Sequence, residues 1–514
     1  MGRYLLDGRL TKGPQSKLVK GDFVSDTTAP TPKSEKSSGP AKIGLFGLIG
    51  IVVSSCIGSG AFALTGQIAQ VASPGAALIA WLIVGVGFLC LALSLKNLAD
   101  KRPDLDSIFD YATQGFGPFA GFLSGWGYWL SAWLGNVAFA TIMMSAIGYF
   151  YPPFESGNTI PCIAIASVIL WGITFLVMNG VESASFINAI VMVAKVAALG
   201  LFIIFALVMF NAGIFTEDFW GTVYDNMVAL GQAGGDAQAL GTIPDQIVNC
   251  MMIMFWCFIG IEGASVISSR AKSKAEAGQA TVIGLIALLV IYIGVSVLPF
   301  GYMPYTEIAQ LPKPAMIYVF DSMAPGWGGA FITIAMIVSV AGSWLSFTIL
   351  PAETTQVMAD HHLIPAKWGE LNKKGAPQFS LIVVGICTQL FMLTLIFTED
   401  AYNFAFSLCT VAIVVTWALA SAFNMKVSFA SNQTGQGICG LIATLFLIIG
   451  TLLNGWSYLL LTCVGYIPGI FVYIAGRKEN KKTVFTPVEK GVMVFVVAAG
   501  ILALVMVATG LITF

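Results

Sequence analysis

Apolar runs of about twenty residues, separated by short polar stretches, recur along most of this chain. A run of that length spans the hydrocarbon core of a bilayer as an α-helix. The pattern predicts an all-α integral membrane protein with about 12–13 transmembrane helices. The thirteen candidates have their approximate centres at Cys56, Gly87, Leu134, Trp171, Lys195, Phe255, Val290, Val340, Cys387, Val414, Phe446, Val464 and Ala503.

The first apolar run, residues 43–71, contains Gly58-Ser59-Gly60 at its middle. A glycine inside a helix costs about 1 kcal/mol relative to alanine. An unwound turn in hydrocarbon also leaves backbone groups without partners, so such a break persists where it is buried or lines a cavity. Transporters build substrate sites from broken helices of this kind. Close helix packing through small residues is the alternative explanation.

A second interruption occurs in the sixth candidate helix, where Gly260 and Gly263 bracket Ile261 and Glu262. Five helices followed by five more give two repeats of inverted orientation, because five is odd. Breaks at corresponding positions of two inverted repeats indicate a transporter site. We therefore predict a ten-helix core over residues 41–430, with repeats at about 41–212 and 243–430, and peripheral helices over 431–514.

The two breaks predict complementary backbone chemistry. A half-helix that begins near Ala61 would direct free N–H groups and the positive end of its dipole towards the break, which favours a carboxylate. The first half of helix six would end near Ile259 and leave carbonyl oxygens that favour an ammonium group. Together the two breaks predict a receptor for the head group of an α-amino acid.

Charged residues make up 10% of the chain, whereas a soluble protein has about 25%. Residues 1–40 are polar and without periodicity, and we interpret them as a flexible tail. With this tail in the cytoplasm, 23 of the 25 Lys and Arg residues fall in the tail or in cytoplasmic loops, and the exceptions are Lys195 and Lys313. The positive-inside rule therefore places the N-terminus in the cytoplasm.

The sequence lacks the patterns of catalytic and metal-binding proteins. The nine cysteines are scattered, without a CxxC pair or a His/Cys cluster. No phosphate-binding loop, GxSxG elbow or suitably spaced carboxylate pair is present. We expect no enzyme activity, no metal, no cofactor and no nucleic-acid partner.

Three motifs resemble a known superfamily: IGSGAF in helix one, YWLSAWLGN (128–136) in helix three and FWCFIGIEGAS (255–265) in helix six. They are similar to the amino acid–polyamine–organocation superfamily, and especially to its basic amino acid/polyamine antiporter branch, which includes arginine/agmatine and arginine/ornithine exchangers. The resemblance implies a leucine-transporter-like five-plus-five inverted repeat with helices one and six broken. It also implies a multi-pass protein of the bacterial plasma membrane, commonly a homodimer.

The resemblance also implies roles for residues of the predicted site. Ser59 and Gly60 would bind the substrate carboxylate, and the carbonyl oxygens of Trp256 and Ile259 its α-ammonium. The Trp256 ring would pack along the substrate side chain, and Asn136 would touch its distal polar end. Further pocket-lining positions are Cys56, Ser131, Ala132 and Cys409. Tyr128 and Glu262 match members of a gate.

Helix eight departs from the pattern of the family. Exchangers of this branch can carry a gating tryptophan there, and ungapped alignment from Leu363-Ile364-Pro365 places Phe347 at that position. Trp344 lies three residues earlier, so both residues are candidates for the gate.

Lys195 lies in the middle of the fifth apolar run. A charge at the centre of a membrane helix costs about 2.5–3.5 kcal/mol on insertion scales. The residue resembles a helix-five lysine that replaces the cation of sodium-coupled relatives, and its ammonium could bridge to the unwound backbone of helix one. A paired structural lysine is the alternative.

The main hypothesis is a secondary transporter that exchanges an amino acid for a related amino acid or its decarboxylated amine by alternating access. Its substrate would be cationic, such as arginine, ornithine, lysine or histidine. Proton-coupled amino acid uptake, with Lys195 as the titrating group, is a second hypothesis. A receptor that binds amino acid without transporting it is a third.

Overall fold

The computed structural model describes residues 43–105, 107–180, 182–231, 239–266, 271–397 and 401–512, apart from the side chains of 182–190, 265, 266 and 454. The predicted tail, residues 1–40, lies outside the described residues. In the described ranges, eleven helices are long and apolar enough to cross a membrane. If the bent pair formed by the first two helices is counted as one further span, the number of candidate spans is twelve. The prediction of an all-α membrane protein is therefore confirmed.

The first half of the chain contains five spans. The first span consists of two helices that meet at an angle of 50°, and a short amphipathic helix separates the second span from the third. The helices are α1 (Leu45–Cys56), α2 (Ser59–Val71), α3 (Pro74–Lys101), α4 (Ile108–Phe116), α5 (Pro118–Gly148), α6 (Ile160–Met178) and α7 (Glu182–Val208). Two short helices, α8 (Ala212–Glu217) and α9 (Thr222–Ala229), follow in the long loop.

The second half follows the same order, with its short helices between the second and third spans. Its helices are α10 (Ile243–Cys257), α11 (Gly263–Val266), α12 (Lys274–Val297), α13 (Tyr305–Ile308), α14 (Ala315–Met323), α15 (Gly328–Asp360), α16 (Gln378–Thr394) and α17 (Ala401–Ala430). The predicted helix around Phe255 is only 15 residues long as α10 and continues after a break as α11. The interruption shortens it below the length of a full span.

Three more helices complete the chain: α18 (Thr434–Asn454), α19 (Trp456–Glu479) and α20 (Pro487–Ala508). α5 is the most deeply buried of the spans and α20 the least. α5 packs against α15 and α17, whereas α2 packs against α10 and α12. The broken helices therefore lie beside a group of long continuous helices.

Basic side chains gather at one end of the helices, which we call the basic end. The Nζ atom of Lys274 donates a hydrogen bond of 2.9 Å to the carbonyl oxygen of Leu105. Lys426 Nζ donates one of 2.8 Å to the carbonyl oxygen of Gly115. At the opposite, acidic end, the Tyr305 hydroxyl lies 2.7 Å from Asp218 Oδ2. The orientation of these two ends in the membrane stays a prediction.

Candidate functional site

The first break lies between α1 and α2. The backbone N–H of Ile57 makes the last helical bond of α1, to the carbonyl oxygen of Val53. Gly58 then leaves the helical region, with φ −108° and ψ −138°. α2 begins at Ser59 without a side-chain cap, and Ser59, Gly60 and Ala61 are buried. An uncapped helix start carries free N–H groups and partial positive charge, so this buried end is suited to an anion.

The second break is the turn between α10 and α11. Its backbone bonds run from the N–H groups of Phe258, Ile259, Ile261 and Gly263 to the carbonyl oxygens three residues earlier, and these bonds do not use the Ile259 carbonyl. Gly260 has φ +106°, and a Cβ there would lie 2.8 Å from the carbonyl carbon of Ser55. Only glycine therefore allows this turn to approach α1 so closely.

The start of α2 contacts the end of α10. A Cβ at Gly60 would lie 2.9 Å from Cδ1 of Trp256 and 2.9 Å from Sγ of Cys257. The Trp256 ring contacts two other rings, with centroid distances of 5.8 Å to Phe139 and 5.9 Å to Phe406. Phe139 in turn meets Phe347 edge to face at 5.0 Å. An aromatic wall therefore adjoins the free N–H groups of α2.

Lys195 joins α7 to the first break. Its Nζ donates hydrogen bonds to the carbonyl oxygens of Ser54, at 2.8 Å, and Ile57, at 2.7 Å. The side chain is 2% exposed. These carbonyls belong to the last turn of α1 and its cap, where the helix dipole is negative and a cation is stabilising. The predicted bridge from Lys195 to the backbone of helix one is present in this structure.

Comparison with known proteins identifies the family. Residues 43–455 match the family model described as amino acid permease. The chain belongs to this family. Among the relatives of this permease is an arginine/ornithine antiporter of Latilactobacillus sakei, 51% identical over 443 residues, which cover 85% of this chain and 91% of the relative.

More distant relatives carry two related names. An arginine/ornithine antiporter of Pseudomonas aeruginosa is 36% identical over 485 residues, which cover 91% of the permease and 98% of the relative. An arginine/agmatine antiporter of Chlamydia pneumoniae is 36% identical over 492 residues, which cover 93% of the permease and 99% of the relative. The similarity extends over nearly the whole length of these proteins, so it includes both breaks.

The remaining predicted pocket residues of the permease lie in two places, one beside the second break and the other on the helices α5 and α17. Cys56 donates from Sγ to the carbonyl oxygen of Phe258 at 3.7 Å, beside the second break. Ser131 and Cys409 contact each other, with Oγ and Sγ 3.2 Å apart. Asn136 donates from Nδ2 to the Phe347 carbonyl oxygen at 3.2 Å. Ala132 is buried on the same helix.

The two helix-eight candidates differ in their surroundings. Phe347 touches Phe139 and lies against Gly135, where a Cβ would come within 2.8 Å of its ring. Among the described residues, no ring contact reaches Trp344, and its buried indole nitrogen has no hydrogen-bond partner there. These contacts favour Phe347 as the gate, and the assignment stays a prediction.

A polar cluster involves the predicted gate residues Tyr128 and Glu262. The Glu262 carboxylate accepts a hydrogen bond of 3.1 Å from Nε1 of Trp417. The Tyr128 hydroxyl also interacts with this carboxylate. Sequence reasoning missed Trp417, although it lies eight residues, just over two helical turns, after the predicted Cys409.

Tyr402 was missed as well. Its hydroxyl accepts a hydrogen bond of 3.1 Å from Nε1 of Trp256 and lies 3.3 Å from Oγ of Ser59. A spacing of seven residues places Tyr402 on the same side of α17 as Cys409. That spacing is the signal from which the residue could have been found.

Asn403, the neighbour of Tyr402, lines a pocket of about 530 Å³ that includes open space at its mouth. Its lining is mixed polar and apolar: Gln67, Gln70, Val71, Asn249, Met252, Ile253, Asn403, Phe406, Ser407 and Tyr458. The described residues contain no group of three His, Cys, Asp or Glu side chains placed to bind a metal. Within those residues, the site consists of backbone groups, aromatic rings and neutral polar side chains around two buried titratable side chains, Lys195 and Glu262.

Proposed function

We propose that this permease exchanges a cationic amino acid for a related amino acid, or for its decarboxylated amine, by alternating access. The observation that carries the proposal is the uncapped start of α2 at Ser59, buried against Trp256. Relatives named for arginine exchange with ornithine or agmatine support the substrate class.

The substrate head group would bind between the two breaks. Its carboxylate would accept hydrogen bonds from the free N–H groups of α2 and from the Ser59 hydroxyl. Its ammonium would donate to the Ile259 carbonyl oxygen, which the turn does not use, and to that of Trp256. Backbone dipoles would thus bind a zwitterion with few charged side chains.

The substrate side chain would extend along the aromatic wall. A cationic end over the Trp256 ring gains about 0.5–2 kcal/mol from the cation–π interaction. Asn136 offers an acceptor farther on, because its buried Oδ1 atom has no hydrogen-bond partner among the described residues. Ser131, Ala132 and Cys409 would line this part of the pocket. This arrangement favours a side chain that ends in hydrogen-bond donors.

Two groups of residues would then work as gates on opposite sides of the substrate. Glu262, with Tyr128 and Trp417, would close one side, and Phe347 would cover the aromatic wall. Lys195 would hold the end of α1 in one of the alternating states. The basic end would face the cytoplasm of a bacterial cell, by the positive-inside rule.

The protomer would be divided as the repeats suggest. Residues 41–430 would form the transport core and 431–514 the periphery. By resemblance to the antiporter branch, two such protomers would form a homodimer, which light scattering of the purified protein in detergent would detect. A mass of one protomer would contradict the dimer and leave the exchange proposal intact.

Exchange is tested with purified protein in liposomes loaded with labelled arginine. We expect efflux when ornithine, agmatine or arginine is added outside and little efflux into buffer alone. Equal efflux without an external substrate would contradict obligatory exchange. Uptake driven by a pH gradient into empty liposomes would support the proton-coupled alternative. Thermal stabilisation by arginine without any flux would support a receptor.

Trp256→Ala tests the pocket assignment in the same assay. We expect exchange to fall at least about tenfold, because one hot-spot aromatic typically contributes 2 kcal/mol or more to binding. Trp456→Ala is the matched control, since Trp456 is 46% exposed at the start of the peripheral helix α19. Normal exchange by the Trp256 variant would contradict the proposed pocket.

A further inference from the structure

We propose that Tyr402 determines the preference of this permease for substrates that carry a carboxylate. It would do so by directing the hydroxyl proton of Ser59 towards the substrate. The inference rests on the proposed function, because it assumes that the substrate head group binds at the start of α2.

The direction of one of the two hydrogen bonds of Tyr402 follows from its donor. An indole N–H can only donate, so the Tyr402 oxygen accepts the 3.1 Å bond from Trp256. Oγ of Ser59 lies 3.3 Å from the same oxygen, and either hydroxyl can be the donor of that bond. In the proposed arrangement the Tyr402 hydroxyl donates to Ser59, and Ser59 keeps its own proton for a third group. The chain of donors would then run from Trp256 through Tyr402 to Ser59.

Ser59 delivers this proton at the place where an anion is expected. It is the first residue of α2, it is fully buried, and no side chain caps the helix there. Bonds in such a chain polarise one another, which strengthens the last donor. A carboxylate would accept this bond together with the free N–H groups. A decarboxylated amine offers no acceptor and would leave buried donors unsatisfied, which is costly.

The surroundings hold Tyr402 in this position. Its ring packs on Phe406 at 5.3 Å between centroids, and it is 7% exposed. The next residue, Asn403, accepts a hydrogen bond of 2.7 Å from Gln67 of α2. These contacts hold the ring of Tyr402 independently of its hydroxyl.

Tyr402→Phe removes the hydroxyl and keeps the ring. We would measure Kd for arginine and for agmatine, its decarboxylated analogue, with purified protein in detergent. We expect the arginine Kd to rise about tenfold, the size expected for losing one hydrogen bond to a charged group, and the agmatine Kd to stay within about twofold. The ratio of the two Kd values is the readout, because general loosening of the site would weaken both ligands.

Tyr466→Phe is the matched control, since its buried hydroxyl donates to the Leu123 carbonyl oxygen at 2.9 Å, outside the site. We expect this control to leave the Kd ratio unchanged. Ser59→Ala should lower the preference for arginine by the same factor as Tyr402→Phe, which keeps the inference testable if the tyrosine variant does not fold. Adding Tyr402→Phe to Ser59→Ala should change the ratio no further, since the effect passes through Ser59.

The outcomes separate this inference from the proposed function. Equal weakening of arginine and agmatine by Tyr402→Phe, or an additive loss in the double variant, would overturn the role of Tyr402 and leave exchange intact. Wild-type protein that binds neither ligand would overturn the proposed function and this inference with it.

Discussion

The side-chain nitrogen of Lys195 donates a hydrogen bond of 2.7 Å to the carbonyl oxygen of Ile57, the residue that caps the end of α1. A second bond, of 2.8 Å, reaches the carbonyl oxygen of Ser54. Both carbonyls lie at the interruption, where the helix supplies no N–H partner. The lysine thus satisfies the negative end of the broken helix, while the positive end at Ser59 stays available.

Replacing Lys195 with methionine keeps most of its volume and removes both bonds. Each carbonyl left unsatisfied costs about 1–3 kcal/mol, so we expect a lower Tm in detergent and a loss of at least about tenfold in exchange. Lys96→Met is the control, because the Lys96 side chain is 35% exposed and its ion pair with Asp100, at 3.1 Å, contributes about 0–1 kcal/mol. Unchanged exchange in the Lys195 variant would show that the bridge is dispensable.

Gly260→Ala tests the close approach of the second break to α1. Its φ of +106° is unfavourable for alanine, and the added Cβ would meet the Ser55 backbone at 2.8 Å. We expect exchange to be abolished and Tm to fall. Gly326→Ala carries a similar φ of +89° but opens onto free space. We expect the Gly326 variant to lose about 1–2 kcal/mol of stability, because alanine is strained at positive φ, and to retain exchange. Equal effects of the two variants would contradict a role for the contact.

Glu262→Gln tests the gate cluster. The amide oxygen can still accept the hydrogen bond from Trp417, but the amide lacks the charge and the second acceptor that the carboxylate offers to Tyr128. We expect a lower maximal exchange rate with a smaller change in KM, because Glu262 is proposed as a gate and not as a ligand of the head group. Trp417→Phe should act in the same direction by removing one donor. A change in KM alone would place Glu262 in substrate binding instead.

Asp110→Asn tests a contact at the basic end. The carboxylate lies 2.8 Å from Nδ1 of His361 and, with Ser107, forms the capping box of α4. Burial raises the pKa of Asp110, but hydrogen bonds from His361 and Ser107 more than offset this and leave the pKa below its ordinary value. Asp110 therefore stabilises the fold above its unfolded pKa of about 4, and this contribution is lost as pH falls through the lower folded pKa.

We accordingly expect Asp110→Asn to lower Tm in detergent at about pH 7, and the difference from wild type to shrink below about pH 4. Asp100→Asn, on the exposed surface of α3, is the control and should change Tm little at either pH. A difference that stays constant across this range would rule out the ionised carboxylate as its cause.

Much of the fold followed from local pattern. Apolar length alone predicted the spans, and glycines at 58, 60 and 260 predicted both interruptions, because a helix in hydrocarbon tolerates such residues only where its backbone finds other partners. The motifs around Ser59, Gly60 and Trp256 also led to the candidate site, since the backbone chemistry of a helix end depends only on where the helix stops.

The partners of these residues could not be predicted in the same way. Tyr402 lies 343 residues from Ser59 in the chain, and Trp417 lies 155 residues from Glu262. Phe347 and Trp344 are three residues apart on one helix, and packing against Phe139 distinguishes them. Hydrophobic periodicity gives the side of a helix that is buried, but the rotation and depth of α15 and α17 against α2 and α10 depend on side-chain packing across the whole bundle. Hydrogen bonds act over about 3 Å, so these contacts exist only once that packing is complete.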